Sequence, residues 1–166
     1  MEIDKNLIKK YNKPGPRYTS YPPANYFSED FTGKDSIRMI LDSNHEKPAN
    51  ISLYIHIPFC PQICHFCGCN TNLIRSKGEI ERYINNVKKE IQLVSQYLDN
   101  NRKVTQIHWG GGTPNSLNLD LIQSVMDLLD EHFRMSENPE IAMECNPAYI
   151  EPDHISRLAS MGFNRL

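Results

Sequence analysis

From residue 51 the sequence alternates between short β-branched runs and longer stretches of helical periodicity, and this restricts the fold more than anything else in the chain. Ile51-Ser-Leu-Tyr-Ile-His-Ile57 is β-branched and aromatic and predicts a buried strand, ended by Pro58. Residues 79–98 put Ile80, Tyr83, Ile84, Val87, Ile91, Val94 and Leu98 on one helical face. A second strand is expected over 104–109, ended by Gly110-Gly111-Gly112. A second amphipathic helix follows over 119–133, through Leu121, Ile122, Val125, Met126, Leu129 and Phe133. Residues 140–145 predict a third strand. The helix after it, from about Pro152 to Met161, has proline at its first position and Gly162 just past its end. A fourth strand is expected to start at Phe163.

Strands alternating with helices imply an α/β fold with a parallel sheet and right-handed crossovers. In such sheets ligands bind beyond the carboxyl ends of the strands. The unusual segments all fall there: a cysteine loop after the first strand, a glycine run after the second, and Glu144-Cys145-Asn146-Pro147 closing the third. The pattern stops at Leu166 without a helix to follow, so the chain is expected to be a truncated, N-terminal portion of a larger (β/α) barrel. Residues 1–50 differ. Lys13-Pro-Gly-Pro16 and Tyr21-Pro-Pro23 exclude long helices, and only a short helix over 36–43 is expected, with Ile37, Ile40 and Leu41 on one face. The expected division is an irregular N-terminal arm, 1–50, and the first βα units of the barrel, 51–166.

A length of 166 residues suits one domain with a real core. The net charge of −2 gives no reason to expect a nucleic-acid partner. No apolar run approaches the roughly 20 residues of a membrane span. The first residues lack the apolar core of a signal peptide, so a cytoplasmic protein is expected.

Cys60, Cys64, Cys67 and Cys69 lie within ten residues, while Cys145 stands apart. In a reducing compartment such a cluster points to metal or redox chemistry. Soft anionic thiolates suit iron, and three of them on a 4Fe–4S cluster leave one iron open to bind a substrate. Cys69 could in principle be a fourth ligand, but only Gly68 separates it from Cys67, and two adjacent corners of a cluster are hard to reach from so tight a spacing. A structural zinc site is the bland alternative, but a zinc ribbon would need a second CxxC knuckle, and the sequence has none.

Cys60-xxx-Cys64-xx-Cys67 after a first strand resembles the signature of the radical S-adenosylmethionine (SAM) superfamily. The wider string from Tyr54 through Cys67-Gly-Cys69-Asn70 is similar to the oxygen-independent coproporphyrinogen III oxidases. So are His108-Trp-Gly-Gly-Gly-Thr-Pro114, Gly15-Pro-Arg17-Tyr-Thr-Ser-Tyr21-Pro, and Gly162-Phe-Asn-Arg-Leu166. The likeness covers nearly the whole chain except residues 28–50.

That resemblance implies a partial barrel of radical SAM type, holding a 4Fe–4S cluster on Cys60, Cys64 and Cys67. It implies oxidative decarboxylation of two propionates of coproporphyrinogen III to vinyl groups, giving protoporphyrinogen IX, by a 5′-deoxyadenosyl radical. A low-potential electron donor would be needed, and a monomer is expected. Tyr54, Phe66, Gly111, Gly112, Thr113 and Glu144 match SAM-contacting positions. By residue type alone, Tyr54 reads equally as a core aromatic, Phe66 as a cluster shield, the glycines as a tight turn and Glu144 as a surface charge. Cys69 is expected near the second SAM or the substrate rather than on the cluster. Arg17 is a candidate for holding a substrate propionate. Cys145 reads as structural, and His56 and His108 stay unassigned. A haem chaperone of the same superfamily is the rival reading. The cysteine at position 69 and the arm carrying Arg17-Tyr-Thr-Ser-Tyr-Pro favour the oxidase. An inactive cluster-binding fragment is a third reading.

Overall fold

The computed structural model describes residues 4–12, 26–65, 67–73 and 76–166. The chain forms two compact units, Met1–Gly33 and Lys34–Leu166. The first contains a helix that the proline-rich composition of the arm hid, α1 (Lys5–Tyr11), whose N-cap Asp4 accepts from the amides of Asn6 and Leu7 at 2.8 and 3.2 Å. Helix α2 (Gly33–Ser43) begins three residues before the expected start. The chain beyond it belongs to the second unit. Asn44 Nδ2 donates to the Tyr97 carbonyl at 2.8 Å, and Arg102 donates to the Ala49 carbonyl and Ser43 Oγ at 2.9 and 2.8 Å. Residues 34–50 therefore pack with the barrel units.

The expected alternation is present. Strand β1 (Ile51–Ile57) leads through short β2 (Phe59–Cys60) and β3 (Asn72–Leu73) to α3 (Lys77–Ser95), β4 (Lys103–Gly111), α4 (Leu119–His132), β5 (Arg134–Met143) and α5 (Pro152–Ser160). The main sheet is parallel with order β1-β4-β5, and β2 pairs with β3 in a separate two-stranded sheet. Strand β1 ends at Ile57, before Pro58, as expected, and the chain continues into β2, where the Asn72 amide donates to the Pro58 carbonyl. Three expectations are corrected. The glycine run does not stop β4, which pairs with β1 as far as Ile57↔Gly111. Strand β5 begins six residues early, its register shifting between Val104 and Gln106, and it ends at Met143, before Glu144. The fourth strand amounts to one bridge, Ala142↔Arg165.

The strands give the sheet two unlike faces. Ile55, Ile57, Ile107, Trp109, Ile141 and Met143 join Ile84 and Ile91 of α3, Ile122, Val125 and Leu129 of α4, and Leu158 of α5 in one apolar core. Trp109 is fully buried and meets Phe163 edge-on at 6.0 Å. The other face is polar. Ser52, Tyr54 and His56 from β1 lie beside Gln106 and His108 from β4. No helix among the described residues is long and apolar enough to cross a membrane.

Candidate functional site

The rim at the carboxyl ends of β1, β4 and β5 lies within the second unit. Cys60 ends β2 and is buried, and its sulfur accepts from the Thr113 hydroxyl at 3.4 Å. Cys64 and Cys67 are exposed on the loop that follows, which a bond from the Cys67 amide to the Cys64 carbonyl tightens at 3.1 Å. Cys67 Sγ lies 3.5 Å from Thr71 Oγ1. That contact, with the backbone at Cys69, holds the Cys67 thiol below its ordinary value. Cys69 is pushed the other way, chiefly by the charge on Cys67. Cys67 and Cys69 are thus neighbours. Among the described residues no three His, Cys, Asp or Glu side chains converge closely enough to hold an ion. The donor set nonetheless suits an iron–sulfur cluster: three free thiols on one short loop at the rim, two of them open to solvent.

The glycine turn is packed against that loop. Gly112 donates to the Ile57 carbonyl at 2.7 Å and Thr113 to the Phe59 carbonyl at 2.9 Å, extending the β1–β4 pairing into the approach to Cys60. A Cβ at Gly112 would stand 2.6 Å from the Phe59 carbonyl oxygen and 2.9 Å from Cys60 Sγ. Gly111 adopts φ +116°, and a Cβ there would meet the His56 ring at 2.8 Å. The missing side chains make room for the protein's own cysteine loop and polar face. What the turn leaves available is backbone, and the Gly111 amide donates to Glu144 Oε2 at 3.1 Å.

Glu144 stands just past β5, exposed, with Oε1 3.4 Å from His108 Nε2. Tyr54 stacks on His108 with ring centroids 5.8 Å apart and planes 13° from parallel. At 59% exposed it is not the core aromatic its strand position suggested. Its hydroxyl lies 3.1 Å from His56 Nδ1, while His56 Nε2 lies 2.9 Å from the Asn70 carbonyl. A carbonyl only accepts, so in the neutral ring Nε2 carries the proton and Nδ1 accepts from Tyr54. Burial, then the charges of Glu144 and Cys69, push the Tyr54 hydroxyl pKa up and keep it a donor. His56 thereby ties the segment after the last cysteines to β1.

The rim thus gathers Cys60, Cys64, Cys67, Cys69, Gly111, Gly112, Thr113, Tyr54 and Glu144. Phe66 and Arg17 lie outside the described residues. Cys145 is half-buried against the core and its thiol is pushed up by burial, in keeping with a structural role. Sequence reasoning missed Asn70, Thr71 and the buried Asn115, whose side chain exchanges two hydrogen bonds with the backbone of Asn146.

The family model of the radical SAM superfamily matches residues 54–166. Oxygen-independent coproporphyrinogen III oxidase from Synechocystis sp. is 43% identical over all of this chain and 35% of its own length. The protein of the same name from Escherichia coli K12 is 45% identical over the same shares. Another from Mannheimia haemolytica is 45% identical over 87% of this chain and 96% of its own length. A solved structure of coproporphyrinogen III oxidase from Escherichia coli, described as a radical SAM enzyme, matches with a TM-score of 0.86 and 39% identity, over 99% of this chain and 36% of that one. The chain spans about a third of the length of the first two of these relatives.

Proposed function

The chain belongs to the radical SAM superfamily and, within it, to the oxygen-independent coproporphyrinogen III oxidases, and on that footing we propose a specific reaction for it. It serves the oxidative decarboxylation of two propionate side chains of coproporphyrinogen III to vinyl groups, giving protoporphyrinogen IX in haem biosynthesis. The observation that carries this reading is the meeting of the cysteine loop, the glycine turn and Glu144 on one rim, with Gly112 against Cys60 and Gly111 bonded to Glu144.

Cys60, Cys64 and Cys67 would hold a 4Fe–4S cluster, three thiolates leaving one iron free for a further ligand. When bound, the cluster and SAM together supply a carbon-centred radical able to take a hydrogen atom from a propionate. The protein's part is to bind and orient. Glu144, exposed and already accepting from a backbone amide, offers its carboxylate to the cationic amino group or ribose hydroxyls of SAM. Gly111, Gly112 and Thr113 bring main chain to the same place, and Phe66, between Cys64 and Cys67 in the sequence, would contact the cluster or adenine. Tyr54 presents a ring and a donor hydroxyl from the polar face. Cys69 would stay off the cluster, near the second SAM or the substrate, and Arg17 would pair with a propionate. The five free cysteines fit a reducing, cytoplasmic setting.

The test is an anaerobic assay of reconstituted protein with SAM, a low-potential reductant and coproporphyrinogen III. Formation of 5′-deoxyadenosine with loss of carbon dioxide from the propionates is expected. Stoichiometric haem binding with no decarboxylation would replace this reading with the haem chaperone, and cluster uptake with no SAM cleavage would leave only a cluster-binding protein.

A further inference from the structure

The turns after β4 and β5 are tied together by one buried side chain. Asn115, 3% exposed, sits in the 3-10 turn Pro114–Ser116 beside the fully buried Pro114. Its Nδ2 donates to the Asn146 carbonyl at 2.9 Å, and its Oδ1 accepts from the Asn146 amide at 2.9 Å. Both partners are main-chain groups, so the side-chain amide behaves as one more rung of strand pairing and satisfies a donor and an acceptor at once. Beyond the clamp, Asn146 caps the next turn, Pro147–Tyr149, by accepting from the Ala148 amide at 3.0 Å.

The location gives the clamp its consequence. The Glu144 amide donates to the Trp109 carbonyl at 2.9 Å, the last backbone bond from β5 to β4. Besides that bond, among the described residues, the hydrogen bonds joining the two strand ends are those of the Glu144 carboxylate with Gly111 and His108, and the Asn115 clamp. An exposed carboxylate held by its side-chain oxygens does not fix the path of its own backbone. A buried amide with two well-placed bonds does. A residue needed only to fill space here would have no use for an amide, whose burial is unfavourable unless both of its ends are paired.

We propose that Asn115 is a positioning residue: by fixing the backbone at Asn146 it holds the Glu144 carboxylate over the Gly111 amide, so that strand end and glycine turn meet SAM as one preformed surface. This rests on the reading of Glu144 and Gly111 as SAM-contacting groups given above. Asn115 reaches no ligand itself, being buried behind the turn. Its effect is preorganisation, which raises affinity by removing the ordering cost that two loose turns would carry.

The experiment compares the wild-type chain with Asn115→Ala and with Asn115→Leu, which keeps the buried volume filled while removing both bonds. Amide hydrogen exchange is followed by mass spectrometry over residues 111–116 and 144–149, with α4 as the internal reference. SAM affinity of the anaerobically reconstituted protein is measured by equilibrium dialysis with radiolabelled SAM. Both variants should exchange about tenfold faster in the two turns and at the wild-type rate in α4. They should keep their iron and bind SAM about tenfold more weakly. Unchanged exchange in the turns overturns the proposal, as does loosened exchange with unchanged SAM affinity. Equal acceleration in α4 would show general destabilisation and also overturn it. If the wild-type protein itself takes up no SAM, the reading of Glu144 and Gly111 falls, while turn exchange alone still decides whether Asn115 fixes the strand end.

Discussion

At the scale of residues, the rim separates thiols that the spacing had grouped. Cys67 and Cys69 are neighbours with opposite tendencies, Cys67 favouring its thiolate through Thr71 and Cys69 disfavouring it beside that charge. Only Gly68 separates the two, a spacing from which two adjacent corners of one cluster are hard to reach. Cys69→Ala is expected to keep the wild-type iron content, and Cys64→Ala to lose it. Iron analysis after anaerobic reconstitution decides between them, and a Cys69→Ala protein as poor in iron as Cys64→Ala would make Cys69 a ligand. The cysteines and glycines of this site were legible in the sequence because their chemistry lies in residue type and local spacing. Asn115 and Asn70 were not. Their partners, Asn146 and His56, lie 31 and 14 positions away, and an asparagine in a loop reads as an ordinary turn former until the fold brings those groups together.

Between elements, the contacts that matter join one loop to the next. Gly112 lies against the approach to Cys60, so Gly112→Ala must push the β4 turn away from the Phe59 carbonyl or displace the Cys60 sulfur. That variant is expected to fold and to retain less iron than wild type after reconstitution, and full iron retention would contradict the close packing. Trp109 carries much of the strand–helix core, and Trp109→Ala should lower unfolding free energy by about 3–5 kcal/mol in chemical denaturation. On the polar face, Glu140 accepts from Gln106 Nε2 at 2.7 Å and from Arg165 at 2.9 Å. These partners, Gln106 first, hold its carboxyl below the ordinary range. A depressed folded value means that the stabilisation is present above the unfolded carboxylate's titration and is lost as pH falls through the folded one. Melting temperatures of the wild type and Glu140→Gln should thus converge as the solution is acidified below the carboxylate range. An equal gap at all pH values would exclude Glu140 as the titrating group. Element types were legible because buried parallel strands and amphipathic helices carry unlike periodicities. Their ends were less so. Gly110 and Gly111 look like strand breakers but pair with His56 and Ile57, and β5 runs through Ser136-Glu-Asn-Pro139, which reads locally as a turn but is absorbed as a register shift opposite Thr105.

At the scale of the whole molecule, a parallel sheet places every strand's carboxyl end on one rim, so three motifs far apart in sequence become one site. That consequence of chain topology was legible in the sequence, since alternation alone fixes which ends coincide. The packing of residues 34–50 with the barrel units was not, because it depends on Asn44 and Arg102 bonding to main chain more than 50 positions away. The reaction proposed for this rim stands or falls on what its cysteines hold. Anaerobic reconstitution followed by iron, sulfide and zinc analysis measures that directly. About four irons and as many sulfides per chain are expected, lost on replacing Cys60, Cys64 or Cys67 with alanine. One zinc per chain with no sulfide would contradict it.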